Sequence, residues 1–170
     1  MFTGCGTALI TPFQQDLSLD EAAMRRLVQR QIRGGINFLV PCGTTGESPT
    51  LTHVENDAVV AAVVKRAKGK IPVLAGTGSN STAEALQMTR NARRNGADGS
   101  LLVVPYYNKP TPEGIYRHFK TIADAVDFSQ VLYNIPGRCG VEMSVDTICR
   151  LRNDCPNIVG VKHATGSMDG

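Results

Sequence analysis

Six short apolar runs recur along this chain, each followed by an amphipathic stretch, and that alternation limits the folds open to it more than any other feature. The runs lie at 6–10, 38–42, 72–76, 100–104, 130–134 and 159–162. Between them the helical period predicts helices near 20–33, 53–67, 82–94, 113–126 and 145–152. One strand plus one helix takes roughly thirty residues, the size of a βαβ repeat. Alternation of this kind implies parallel strands joined by right-handed crossovers.

Local signals agree with the period. Ser18…Glu21, Thr52…Glu55 and Ser81…Glu84 each place a hydroxyl three residues ahead of a glutamate, the pattern of a capping box. Thr111-Pro112 puts proline at a first helical position, and Ser144 stands where an N-cap is needed. Gly34-Gly35 and Gly96 follow predicted helices, where a left-handed residue ends the last turn.

Two closures compete, a (β/α)8 barrel and an open doubly wound sheet. A dinucleotide-binding sheet carries G-x-G-x-x-G after its first strand. Here Gly76-Thr77-Gly78 follows the third strand and lacks the third glycine. The barrel is the expected architecture. A complete barrel takes about 250 residues, and at least about 200, so 170 residues supply six strands and five helices of it. Residues 1–170 are expected to be the N-terminal part of a single catalytic domain. The sixth strand is then an edge, and these residues alone are expected to be close to inactive and poorly soluble.

Composition removes several function classes. The chain is 42% hydrophobic and 19% charged, with net charge +3. The basic residues are scattered on helix faces and not interleaved with aromatics, which argues against a nucleic-acid partner. No run approaches the roughly twenty apolar residues of a membrane helix. The N-terminus has no basic segment followed by an apolar one, so a cytoplasmic location is expected. The five cysteines, Cys5, Cys42, Cys139, Cys149 and Cys155, are odd in number and lack C-x-x-C spacing. Reduced thiols are expected, with neither a disulfide framework nor a zinc site. His53, His118 and His163 show no metal-ligand spacing either.

The last apolar run holds one lysine, in Ile158-Val159-Gly160-Val161-Lys162-His163. The run reads as a fully buried strand of a parallel sheet. Lysine is almost never fully buried without a partner. Such an ammonium is either paired or reactive, since desolvation favours the neutral amine that attacks carbonyls. On the strand alone the paired reading carries more weight. The other strand ends shift it. Gly43-Thr44-Thr45-Gly46-Glu47-Ser48, Pro105-Tyr106-Tyr107-Asn108 and Tyr133-Asn134-Ile135-Pro136-Gly137-Arg138 follow the second, fourth and fifth strands. In barrels the reacting groups lie at those carboxyl ends.

These segments, with Gly160-Val161-Lys162-His163-Ala164-Thr165-Gly166 and the opening Gly6-Thr7-Ala8-Leu9-Ile10-Thr11-Pro12-Phe13, resemble the dihydrodipicolinate synthase / N-acetylneuraminate lyase family of class I aldolase-type barrels. The resemblance covers the whole chain. It implies a lyase of lysine (diaminopimelate) biosynthesis that condenses pyruvate with aspartate 4-semialdehyde. Lys162 would form the Schiff base with pyruvate, and Tyr133 would move protons near the imine. Thr44 would link Tyr133 to Tyr107 in a hydroxyl relay, with Tyr107 reaching into a neighbouring subunit. Thr45 would hold the pyruvate carboxylate and Arg138 the carboxylate of the semialdehyde. No metal or organic cofactor is implied, because the lysine is the electrophilic catalyst.

The resemblance further implies a homotetramer built as a dimer of dimers. Ser48, His53, Asn80, Glu84 and Tyr106 match positions that bind feedback-inhibiting lysine in many bacterial members, with Asn56 where a second histidine is common. For Glu84 the capping box remains the competing reading. Another aldehyde, as in a sialic acid lyase, and a non-catalytic half-barrel are the alternatives to the synthase. Arg138 and the Thr44-Thr45 pair favour the synthase.

Overall fold

The computed structural model describes residues 2–166. They form two compact units. The first runs through Gly76 and includes Asn91–Gly99, and the second takes Thr77–Arg90 and the residues from Ser100 onward.

In the first unit, β1 (Gly6–Ala8), α1 (Glu21–Arg33), β2 (Phe38–Val40), α2 (His53–Ala67) and β3 (Leu74–Gly76) follow one another. β1 and β2 are parallel, with Gly6 opposite Phe38 and Ala8 opposite Val40. Leu39 bridges to Val73 in the same sense. All three strands are shorter than their apolar runs. Pro41 follows β2, and Cys42 then takes a left-handed φ of 55°, which turns the chain out of the extended region. Pro72 has no N–H to give a ladder; its carbonyl accepts from Leu39 instead. α1 packs on α2, and Leu9, Val28, Leu39, Val60, Val63 and Val73 are fully buried between helices and strands.

In the second unit, β4 (Gly99–Val103), α4 (Pro112–Ala125), β5 (Gln130–Asn134), α5 (Pro136–Cys139), α6 (Val145–Asp154) and β6 (Ile158–His163) succeed α3 (Thr82–Arg94); the last residues of α3 and the first of β4 belong to the first unit. β4, β5 and β6 are parallel neighbours in that order. Leu102, Phe119, Ile122, Leu132, Met143, Leu151 and Ile158 form the core beneath α4 and α6. α5 is a single turn that the helical period does not reveal, started by Pro136 at its first position and closed by Gly140 at φ 70°.

Three sequence expectations need correction. β6 is not fully buried: Ile158 is, but Val161, Lys162 and His163 are exposed. Among the described residues β6 pairs with β5 alone. Ser18 does not cap α1. Asp20 does, accepting from the Ala23 N–H at 2.8 Å, while the Ser18 hydroxyl donates to Asp16 at 2.6 Å. At α3 the Glu84 carboxylate accepts from the Ser79 hydroxyl at 2.8 Å, and Ser79 also accepts from the Ser81 N–H at 3.1 Å. Only the Glu84 N–H reaches Ser81 Oγ, at 3.4 Å. The capping box at Thr52–Glu55 forms in full, and Thr111 and Ser144 cap α4 and α6. No helix among the described residues is long and apolar enough to cross a membrane.

Candidate active site

The loop after β2 is held in an unusual shape by its neighbours in the first unit. Residues 44–46 make a tight turn between two left-handed non-glycine residues, Cys42 and Glu47, each at φ 55°. Such backbone is costly and persists where surrounding contacts over-determine it. Three contacts do so here. The buried Thr11 hydroxyl donates to the Gly46 carbonyl at 2.6 Å. The Gly76 N–H donates to the Pro41 carbonyl at 2.9 Å. A Cβ on Gly76 would lie 2.1 Å from the Cys42 oxygen, so only glycine permits this approach.

The result is that Thr44 and Thr45 are presented to solvent at the carboxyl end of β2. The Cys42 thiol is inert: burial, with the nearby Asp57 charge adding to it, pushes its pKa up to about 12. Ser48 opens the next turn, and His53 is the exposed first residue of α2. Asn56 is buried one turn further on, and its carbonyl faces the Cys42 sulfur at 3.8 Å.

In the second unit the loop after β4 is also strained. Tyr107 has φ 71°, and the Asn108 N–H donates to the Tyr106 carbonyl at 2.8 Å. Together these describe a γ-turn of the rare classic form, which displays the Tyr107 ring at 89% exposure. The Asn80 amide holds the turn from below, donating to the Tyr106 carbonyl at 3.2 Å, and Asn108 donates back to the Asn80 carbonyl at 3.4 Å. Asn80 and Tyr106 are therefore brought together, and Glu84 is tied to Ser79 one residue away from Asn80.

β5 and β6 place Tyr133 and Lys162 directly opposite each other. Tyr133 is buried, with Lys162 Nζ 4.1 Å from its ring centroid. Arg138 stands exposed on α5, five residues beyond Tyr133. No sequence motif marks a role for Asn134, although its side chain is wholly buried and makes several contacts at this strand end. The signal available was an amide following an apolar strand, a position that a polar side chain occupies only when fully hydrogen-bonded.

Parallel βα units with their polar residues gathered at strand carboxyl ends define the N-terminal part of a (β/α)8 barrel. The solved structures of relatives agree. Dihydrodipicolinate synthase from Aquifex aeolicus superposes with a TM-score of 0.97 at 50% identity, over 99% of this chain and 57% of that one. The chloride-inhibited dihydrodipicolinate synthase of Acinetobacter baumannii, solved with pyruvate, gives 0.95 at 48% identity over 98% and 57%. The chain belongs to the dihydrodipicolinate synthetase family, whose model it matches over residues 1–170. The 4-hydroxy-tetrahydrodipicolinate synthase of Endomicrobium trichonymphae is 55% identical over 169 residues, which are 99% of this chain and 58% of that protein. The chain thus spans a little over half the length of these relatives.

Proposed function

We propose that this chain carries the pyruvate-activating part of a 4-hydroxy-tetrahydrodipicolinate synthase, which condenses pyruvate with aspartate 4-semialdehyde. The observation that carries the reading is the register pairing of Lys162 with Tyr133, an amine beside a phenol at the carboxyl end of two parallel strands. The neutral Lys162 amine adds to the pyruvate ketone, and with one proton taken up water leaves, giving an iminium. The iminium accepts the electron pair released when a methyl proton departs, and the resulting enamine carbon attacks the aldehyde. A phenol suits the proton transfers because one oxygen both donates and accepts.

The other roles rest on the family resemblance. Thr44 and Tyr107 act in the hydroxyl relay, Thr45 holds the pyruvate carboxylate, and Arg138 receives the carboxylate of the semialdehyde, a match for its planar fork. The relative solved with pyruvate supports the first substrate. Residues 1–170 serve as the N-terminal part of one catalytic domain in a cytoplasmic homotetramer. Ser48, His53, Asn80, Glu84 and Tyr106 take the lysine-binding roles that the family resemblance implies. The Asn80–Tyr106 hydrogen bond supports that grouping.

The test is reductive trapping. The full-length protein is treated with pyruvate and borohydride, and the adduct is mapped by mass spectrometry. A pyruvyl adduct on Lys162 is expected. Labelling of another lysine, such as Lys109, or no labelling at all, rejects the assignment.

A further inference from the structure

We infer that Asn134 is the positioning residue that sets where Arg138 stands, and through it the specificity for the second substrate; this rests on the role proposed above for Arg138. Asn134 ends β5 with its side chain wholly buried. Its Nδ2 donates to the Met143 carbonyl at 3.2 Å, and its Oδ1 accepts from the Met143 N–H at 3.1 Å. The primary amide thus offers the backbone of Met143 both halves of a peptide pair, as a neighbouring strand would. Met143 is itself buried, so these backbone groups have no water to turn to and depend on Asn134.

Between the two clamped positions lies a closed loop of residues 135–142, with Arg138 at its middle on the single turn α5. One turn has no helical stability of its own. Its place is dictated by its ends. Asn134 fixes both, because its backbone is the last residue of β5 and its side chain grips Met143. The same residue reaches the neighbouring strand. Its carbonyl accepts from the Ala164 N–H at 2.9 Å, and Nδ2 lies 3.4 Å from His163 Nδ1, beside Lys162. Asn134 therefore ties the frame of Arg138 to the strand that carries the amine.

The test uses the full-length protein and three variants. Arg138→Ala establishes the reference: a fall in kcat/KM for the semialdehyde with pyruvate trapping at Lys162 retained. Asn134→Leu keeps the branched outline at a larger volume and removes both hydrogen bonds. It should give the same split, with about a hundredfold loss for the semialdehyde, the scale of a misplaced binding group. Gly140→Ala disturbs the exposed end of the loop without touching the core. Gly140 has φ 70°, where a side chain is strained, and its added Cβ would meet Lys109 Cε at 3.2 Å. It should show a smaller loss of the same selective kind, and it carries the test if Asn134→Leu does not fold.

If Arg138→Ala leaves semialdehyde use unchanged, the role of Arg138 fails and the inference falls with it. If Arg138→Ala shows the loss but the loop variants leave the semialdehyde kcat/KM intact, the inference alone is overturned. Equal loss of pyruvate trapping and semialdehyde use in the loop variants would make Asn134 merely structural and also overturn it.

Discussion

Lys162 holds its amine over the face of the Tyr133 ring, Nζ 4.1 Å from the centroid, because the two residues are register partners on adjacent parallel strands. Tyr133 therefore offers two separable things, a π face that attracts the cation and a phenol that exchanges protons. Tyr133→Phe keeps the first and removes the second. In the full-length protein it should lower kcat by about a hundredfold or more, the usual worth of a positioned acid–base group, while borohydride still traps pyruvate on Lys162. Tyr133→Leu should lose both. Turnover of Tyr133→Phe close to the parent would remove Tyr133 from the proton transfers.

Gly76→Ala tests the support of the Thr44-Thr45 loop. The new Cβ would sit 2.1 Å from the Cys42 oxygen and 2.5 Å from its carbonyl carbon, so backbone has to move. Overpacking of this kind costs about 1–3 kcal/mol. Urea unfolding should show a lowered midpoint, and crystallography of the variant a displaced loop at Cys42–Gly46. An unchanged midpoint would mean that the loop gives way freely and is not held by Gly76.

The order of strands and helices was readable because it rests on hydrophobic period and on caps, both local in sequence. Thr52–Glu55 is legible for that reason, and the structure forms both of its hydrogen bonds. Ser18–Glu21 has the same letters and fails, because Asp20 is a competing acceptor two residues on and Asp16 claims the Ser18 hydroxyl. Glu84 likewise turns to Ser79, which lies outside the four-residue pattern. The exposure of Lys162 depends on what lies beside β6, which its own apolar letters cannot report. The left-handed turns at Cys42 and Tyr107 carry no glycine to announce them. The grip of Asn134 on Met143 spans nine residues and belongs to no short motif.

Thr52→Ala removes the hydroxyl that receives the Glu55 N–H at the start of α2. Loss of such a cap costs about 1 kcal/mol, read as a lower urea midpoint at pH 7. The hydrogen bonds from the Thr52 N–H and hydroxyl hold the Glu55 carboxyl below its ordinary value of 4.5. A carboxyl lowered in the native state favours folding above the unfolded value and loses that effect as pH falls through the native one. The difference between parent and Thr52→Ala should therefore narrow below about pH 4.5. Thr52→Ala keeps the N–H bond to Glu55, so a difference constant down to pH 3 would show that the Thr52 hydroxyl has no share in lowering the Glu55 carboxyl.

His118 governs a separate and higher pH window. It is buried on α4, with Nδ1 2.9 Å from the Thr82 hydroxyl and its ring edge-on to Phe119. Burial lowers its pKa from 6.5 to about 4, so the native ring is neutral where an unfolded ring already takes a proton. Below pH 6.5 the unfolded chain binds the extra proton, and stability declines as pH falls toward 4. The carboxyls of Asp16, Glu55 and Glu113 are all held below their ordinary values of 3.8, 4.5 and 4.5 by hydrogen bonds, so their effect is lost only from about pH 4.5 downward. Among the described residues with a shifted pKa, His118 is the one that acts from pH 6.5 to 5. Urea midpoints of the full-length protein should fall across it, and His118→Leu should flatten that fall while lowering the midpoint at pH 7, because the Thr82 hydroxyl loses its partner. A slope that survives the substitution would place the titrating group elsewhere.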